Sequence, residues 1–185
     1  MKIRCFDGSV NATSKAQQQR HEIVCWPVAS DFSWCAQIDR FSQAYQLPAM
    51  PEIDHYLVLL NDNTLVLTYD ADSKYIFIEK GQSFCCRGED NPQLLAQNGP
   101  IVLLNISVRR GCWKPKISVV TENQLLPTNS AGVIYVLEGH WQIQGANCSQ
   151  LIAEHGCWWL PDIRQGRVSP LQPNSCLIWI DLMNG

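Results

Sequence analysis

The side chains best suited to chemistry in this chain are four histidines, His21, His55, His140 and His155, and nine cysteines. A barrel-borne metal centre needs a His-x-His pair, a following Glu and a third His around an open coordination position. No two of the four histidines are separated by one residue, so no metal centre of that kind is expected, and no cofactor. Asp54-His55-Tyr56 contains the residue types of a His–Asp base with a Tyr acid. Neighbours on a strand face opposite sides, however, so these three cannot converge on one substrate. His155 and Cys157 would share a strand face and could pair as imidazole and thiolate. Gly156 between them reads as a turn that breaks the alternation.

The segment from Ile101 to Arg110 is more informative. Val102, Leu104, Ile106 and Val108 form one apolar face, as expected of a face packed on a core. The other face runs Ile101, Leu103, Asn105, Ser107, Arg109, apolar at one end and polar at the other. In a barrel this gradient suits a strand whose closed end packs while its open end lines a mouth. There Arg109 could bind a carboxylate bidentately, with Asn105 donating alongside. A solvated outer face reads equally well from the same pattern.

The elements that must position these residues read as short strands. Apolar or β-branched runs cover Tyr56 to Leu60, Thr64 to Tyr69, Tyr75 to Glu79, Ile101 to Arg109, Ile117 to Thr121, Val133 to Leu137, Trp141 to Gln144, Gln150 to Ala153, Cys157 to Leu160 and Cys176 to Leu182. Turn clusters such as Asn61-Asp62-Asn63 separate them, which predicts an all-β sandwich or barrel. Thr13 to Arg20 has helix-favouring residues without an apolar stripe, and Asn91-Pro92 suits a single helical turn. Val58 to Asp62 resembles Val136 to His140. Gly81 to Cys85 resembles Gly156 to Leu160, and Gly99 to Leu103 resembles Asn174 to Ile178, at offsets of 75 to 78 residues. Hairpin, glycine-led strand and long apolar strand thus recur in order, a duplicated β unit.

Fourteen basic and seventeen acidic side chains leave a charge of −3, against an electrostatic nucleic-acid binder. The longest aliphatic runs are too short to span a bilayer, and Met1 to Asp7 has no apolar stretch of the signal-peptide kind. With an odd number of cysteines and no CxxC pair, a cytoplasmic protein with reduced thiols is expected. Cys35, Cys157 and Cys176 lie in apolar stretches, where a free thiol packs as a small hydrophobe.

Several ordered segments resemble the HutD/Ves family. They are Asp31-Phe32-Ser33-Trp34, Leu47-Pro48 with Pro51, Asp54 to Leu60, and Gly99 to Arg110. Gly132 to Ile143 and Gly156-Cys157-Trp158 are closest to the Ves branch. The resemblance implies a cupin-like bicupin, two related RmlC-type jelly-roll halves over 1–125 and 126–185 packed as one unit; the repeat puts Ile180 and Leu182 where the first half has Asn105 and Ser107, so the pocket is expected in the first. It implies a role in histidine utilisation in one branch and stress response in the other, with no established reaction. The chain departs from the family pattern in three places. Of the family's N-terminal segment it keeps only Glu22; Pro51-Glu52 and His55 stand where relatives have Pro-Gly and Arg; and Leu103 stands where they have Asp.

Three functions follow as expectations. The first is a non-catalytic protein holding a small carboxylate or amide metabolite among Glu22, His55, Asn105 and Arg109, with Trp34 as a wall. The second is a metal-free cupin-class isomerase or hydrolase using His55 with Glu22 or Tyr56. The third is an interaction module that dimerises through Trp141 with Trp158 or Trp159. Bulky Gln17 to Gln19 would plug the pocket mouth.

Overall fold

A computed structural model of the chain describes residues 3–9, 18–69, 76–145, 149–161 and 165–185. Among the described residues there is no helix. The first strands are β1 Arg4–Asp7, β2 Gln18–Val28, β3 Asp31–Phe41, β4 Tyr45–Gln46, β5 Ile53–Leu59, β6 Thr64–Thr68, β7 Ile76–Ile78, β8 Ser83–Arg87, β9 Gln93–Gln97 and β10 Ile101–Arg109. They are followed by β11 Trp113–Val120, β12 Gln124–Leu126, β13 Ala131–Glu138, β14 His140–Gln144, β15 Ser149–Ile152, β16 His155–Trp159, β17 Gly166–Pro170 and β18 Cys176–Asn184. The helix expected from Thr13 is replaced by strand at Gln18 to Arg20, its first residues lying outside the described set. Asn91 takes a positive φ of 44° instead of opening a helical turn.

The chain divides into two compact units, Asn11–Trp113 and Met1–Val10 together with Lys114–Gly185. This differs from halves of 1–125 and 126–185 because β1 pairs with β16 and β11 lies beside β18. Both segments therefore complete the second unit. In the first unit the sheets run β2-β3-β10-β5-β8 and β4-β9-β6-β7. In the second they run β1-β16-β13-β18-β11 and β12-β17-β14-β15. The order β3-β10-β5-β8 thus has its counterpart in β11-β18-β13-β16, on the strands that carry the sequence repeat.

Asn61-Asp62-Asn63 does not close a hairpin: β5 and β6 belong to opposite sheets, and the triplet carries the chain between them. Asn61 and Asn63 each donate a side-chain N–H to the Pro100 carbonyl at 2.7 Å, tying the crossover to the start of β10. The core of the first unit includes Phe41, Leu57, Leu59, Leu65, Leu67, Leu94, Ile101 and Leu103. Each such side chain stabilises by about 1.5–3 kcal/mol on burial. The second unit packs Trp141, Trp159 and Trp179 with Ile134, Val136 and Leu177.

Gly156 lies within β16 and is not a turn. A Cβ there would come within 2.2 Å of the Phe6 ring and 2.3 Å of the Ile134 carbonyl, so close packing against β1 and β13 explains the glycine.

Candidate functional site

Antiparallel register assembles the site from four adjacent strands of the first unit. Cross-strand partners share a face. One row reads Cys25, Cys35, Ser107, His55 across β2, β3, β10 and β5. The next reads Glu22, Gln37, Asn105, Leu57, and the third Arg20, Asp39, Leu103, Leu59. The polar side chains of the first two rows, with Arg20 from the third, line a cavity of about 170 Å³ that Phe32, Pro48 and Met50 help to enclose. Below them the same face becomes the apolar core. A register shift between Glu22 and Val24 lets Glu22 and Cys25, an odd number of positions apart, face the same way.

The polar groups form a continuous hydrogen-bonded chain. Asp39, only 2% exposed, accepts from Arg20 Nε at 3.2 Å, Gln37 Nε2 at 3.0 Å and Asn105 Nδ2 at 3.1 Å. Arg20 Nη2 donates to Tyr45 Oη at 2.7 Å. Burial works against the Arg20 charge, but Asp39 and Tyr45 outweigh it and raise its pKa. Since Asn105 spends its amide N–H on Asp39, its Oδ1 must accept. Ser107 Oγ donates to that oxygen at 3.4 Å, and His55 Nδ1–H then donates to Ser107 Oγ at 3.0 Å. This direction satisfies every member and makes His55 the Nδ1–H tautomer. Nε2 is left as a bare acceptor, buried and with no hydrogen-bond partner among the described residues.

Burial lowers the His55 pKa, against the raising effects of Asn105 and Asp39. The contribution of the neutral form to stability is therefore complete above the ordinary pKa of 6.5 and is lost as pH falls through the lower folded value. Unfolding free energies from denaturant titrations between pH 7 and pH 5 should fall in the wild type by at most about 1.4 kcal/mol per pH unit from this group. His55→Leu should flatten that slope; an unchanged slope would assign it to other groups.

Of the five residues singled out from the sequence, Glu22, His55 and Asn105 line the cavity, and Trp34 and Arg109 do not. Trp34 alternates with Cys35 and faces the opposite side of β3, fully buried and paired with Val108. Arg109 lies beyond the cavity at the end of β10, where its Nη2 donates to Asp31 Oδ1 at 2.6 Å and to the Phe32 carbonyl at 3.2 Å. The cation in the cavity wall is Arg20. Arg20, Cys25, Gln37 and Asp39 escaped sequence reading, although Cys35, Gln37 and Asp39 alternate with apolar Trp34, Ala36 and Ile38 in the period-two pattern of a half-polar strand. Gln18 and Gln19 do not line the cavity, and Gln17 lies outside the described residues.

The competing constellations fare differently. Tyr56 faces away from His55 and pairs in register with Ile106 and Cys85, its hydroxyl pKa pushed up to about 12 by burial. Cys157 is fully buried, and burial pushes its thiol far from the thiolate form. Trp141 and Trp159 are fully buried core residues, and Trp158 carries the Arg4 guanidinium 5.1 Å above its ring. The expectation of reduced thiols is corrected at one pair: directly opposed Cys25 and Cys35 form a disulfide.

The sequence profile of HutD matches residues 19–176. The chain belongs to the HutD family. Among its relatives is Protein Ves of Cronobacter sakazakii, 26% identical over 151 residues that cover 81% of each chain. The solved structure of HutD from Pseudomonas fluorescens SBW25 superposes with a TM-score of 0.80 at 14% identity, covering both chains completely. A cupin 2 conserved barrel domain protein from Leptotrichia buccalis gives 0.66 at 11% identity, covering 100% of this chain and 98% of that one, so the fold is cupin-like.

Glu52 adopts a φ of 64°, the left-handed region glycine enters without strain. Its backbone N–H is held by Glu89 Oε1 at 3.0 Å. The histidines do not gather as in a metal-dependent cupin: His21 lies on the opposite face of β2 from Arg20 and Glu22, and His140 and His155 belong to the second unit. Among the described residues the one group of three metal-capable side chains is Glu22, Cys25 and Cys35. No helix among them is long and apolar enough to cross a membrane.

Proposed function

We propose that this HutD-family protein is a non-catalytic, cytoplasmic binder of one small polar metabolite, acting as a regulatory sensor in histidine utilisation or stress response. The observation that carries the reading is the cavity-lining His55, 2% exposed, whose buried Nε2 has no hydrogen-bond partner among the described residues. A buried acceptor left open costs about 1–3 kcal/mol, a penalty that a ligand N–H or O–H removes. A cavity of about 170 Å³ holds the volume of about five or six waters, which suits a small metabolite. Arg20, whose Nε and Nη2 go to Asp39 and Tyr45, supplies the cation of the cavity wall that a ligand oxygen would meet. The ligand class is therefore a molecule with a carboxylate or amide oxygen at one end and a proton donor at the other. The His55 ring is hydrogen-bonded by Ser107 and Asn105, not by a carboxylate, which favours binding over isomerase or hydrolase chemistry.

The test is thermal melting against histidine, glutamate, N-formylglutamate, urocanate and a few sugars. A ligand at 100 times its Kd should raise Tm by about 5–10 °C. The shift should vanish in His55→Leu and survive in Arg109→Ala, whose side chain is engaged by Asp31 outside the cavity. Loss of the shift in Arg109→Ala with retention in His55→Leu would refute the site.

A further inference from the structure

We propose that the reduced protein binds a thiophilic divalent cation, Zn²⁺ foremost, between the thiolates of Cys25 and Cys35 and the carboxylate of Glu22, and that closing the disulfide expels it. The ligand atoms of these three residues already lie within 4.8 Å of one another. Metal–donor bonds of ~2.3 Å to sulfur and ~2.1 Å to oxygen place neighbouring donors of a tetrahedral zinc about 3.6–3.8 Å apart. On reduction the two sulfurs have to part and the three donors to reach that spacing by side-chain rotation. Cys25 and Cys35 are direct cross-strand partners, and Glu22 reaches their side of the sheet through the register shift that follows it.

A second, independent observation points to a ligand in the same place. His55 lines this cavity with Nε2 buried and unpartnered, its Nδ1–H held by Ser107. A neutral imidazole whose far nitrogen donates to an oxygen is the form in which histidine ligates metals. Three protein donors plus an open position describe a zinc site that accepts a further ligand, and His55 lines the same cavity. Two thiolates and a carboxylate around a dication leave one excess negative charge, in a cavity whose wall also holds Arg20, its guanidinium shared with Asp39.

The gating step balances as dithiol exchange. A cellular dithiol gives two electrons and two protons to the Cys25–Cys35 bond and becomes a disulfide itself, and zinc then displaces the two thiol protons. This inference does not depend on the metabolite reading. Nor does the histidine spacing bear on it, since the donor set is thiolate and carboxylate.

Co²⁺, followed by competition with Zn²⁺, tests it directly on the whole chain. Protein reduced with a phosphine should take up one equivalent of Co²⁺ with thiolate-to-cobalt charge-transfer absorption, which Zn²⁺ then bleaches. Protein oxidised with diamide should show no such absorption. Cys25→Ser and Cys35→Ser should each abolish the absorption, and Glu22→Gln should weaken binding at least about tenfold, since even indirect partners of metal ligands are worth that much. Cys85→Ser and Cys112→Ser, at exposed free thiols, should leave it intact. Absence of uptake by the reduced protein, equal uptake by the oxidised protein, or absorption that persists in both Cys25→Ser and Cys35→Ser would overturn the proposal.

Discussion

Asp39→Ala should destabilise the first unit by about 3 kcal/mol and abolish ligand binding in the cavity. The carboxylate is buried and accepts hydrogen bonds from Arg20, Gln37 and Asn105, so its removal strands three donors at once. Breaking a buried charge pair by deleting one partner costs about 3–5 kcal/mol, and the low end applies because Arg20 is half exposed and can rehydrate. Asp39→Asn keeps one acceptor oxygen but turns an amide toward the remaining donors, so a loss of about 1–3 kcal/mol is expected. Urea unfolding followed by tryptophan fluorescence reads both. A loss below about 1 kcal/mol in Asp39→Ala would mean that water replaces the carboxylate in the network.

The binding defect has a separate cause. Asp39 fixes the Asn105 amide, Asn105 sets the orientation of Ser107, and Ser107 holds the His55 tautomer. Removal of the first member leaves the imidazole free to present N–H in place of a lone pair. Affinity should therefore fall in Asp39→Asn more than its stability loss alone explains.

Gly132→Ala should cost about 3 kcal/mol or more, a large effect for a single methyl group. Gly132 and Trp159 are direct cross-strand partners in the second unit, and the indole lies over the glycine. An added Cβ would stand 2.1 Å from Cζ2 of that ring. Trp159 cannot retreat, because it is fully buried and packs edge-on against Trp179 with ring centroids 5.6 Å apart. Overpacking of this kind costs about 1–3 kcal/mol where neighbours can yield, and more where they cannot. Trp159→Ala alone should cost about 3–5 kcal/mol. The double variant should lose less than the sum, by about 1 kcal/mol or more, because the alanine at 159 vacates the space that the new methyl needs. Simple additivity would show that the clash is relieved by backbone movement instead.

Much of this protein was legible from local pattern alone. Period-two alternation and turn residues determined the all-β class, and the ordered motifs determined the family. Along β10, Ile101 and Leu103 join the core, while Asn105 and Ser107 line the cavity. Alternation along one strand specifies which residues share a face, and that much needs no partner strand.

What each face meets was decided only by tertiary structure. Arg109 sits in phase with Asn105, yet it is claimed by Asp31, 78 residues away, because β3 runs beside β10 in that register. Trp34 lies one residue out of phase with Cys35, and that single step sends the indole to the far side of the sheet. Glu22 and Cys25 share the cavity only because a register shift interrupts β2, and the Cys25–Cys35 bond follows from pairing across the hairpin. Edge strand β2, rich in polar residues and carrying a proline, shows no strong apolar alternation, so both its strand character and its inward residues were hidden. Register is a property of two strands together, and it is register that turned scattered polar residues into one site.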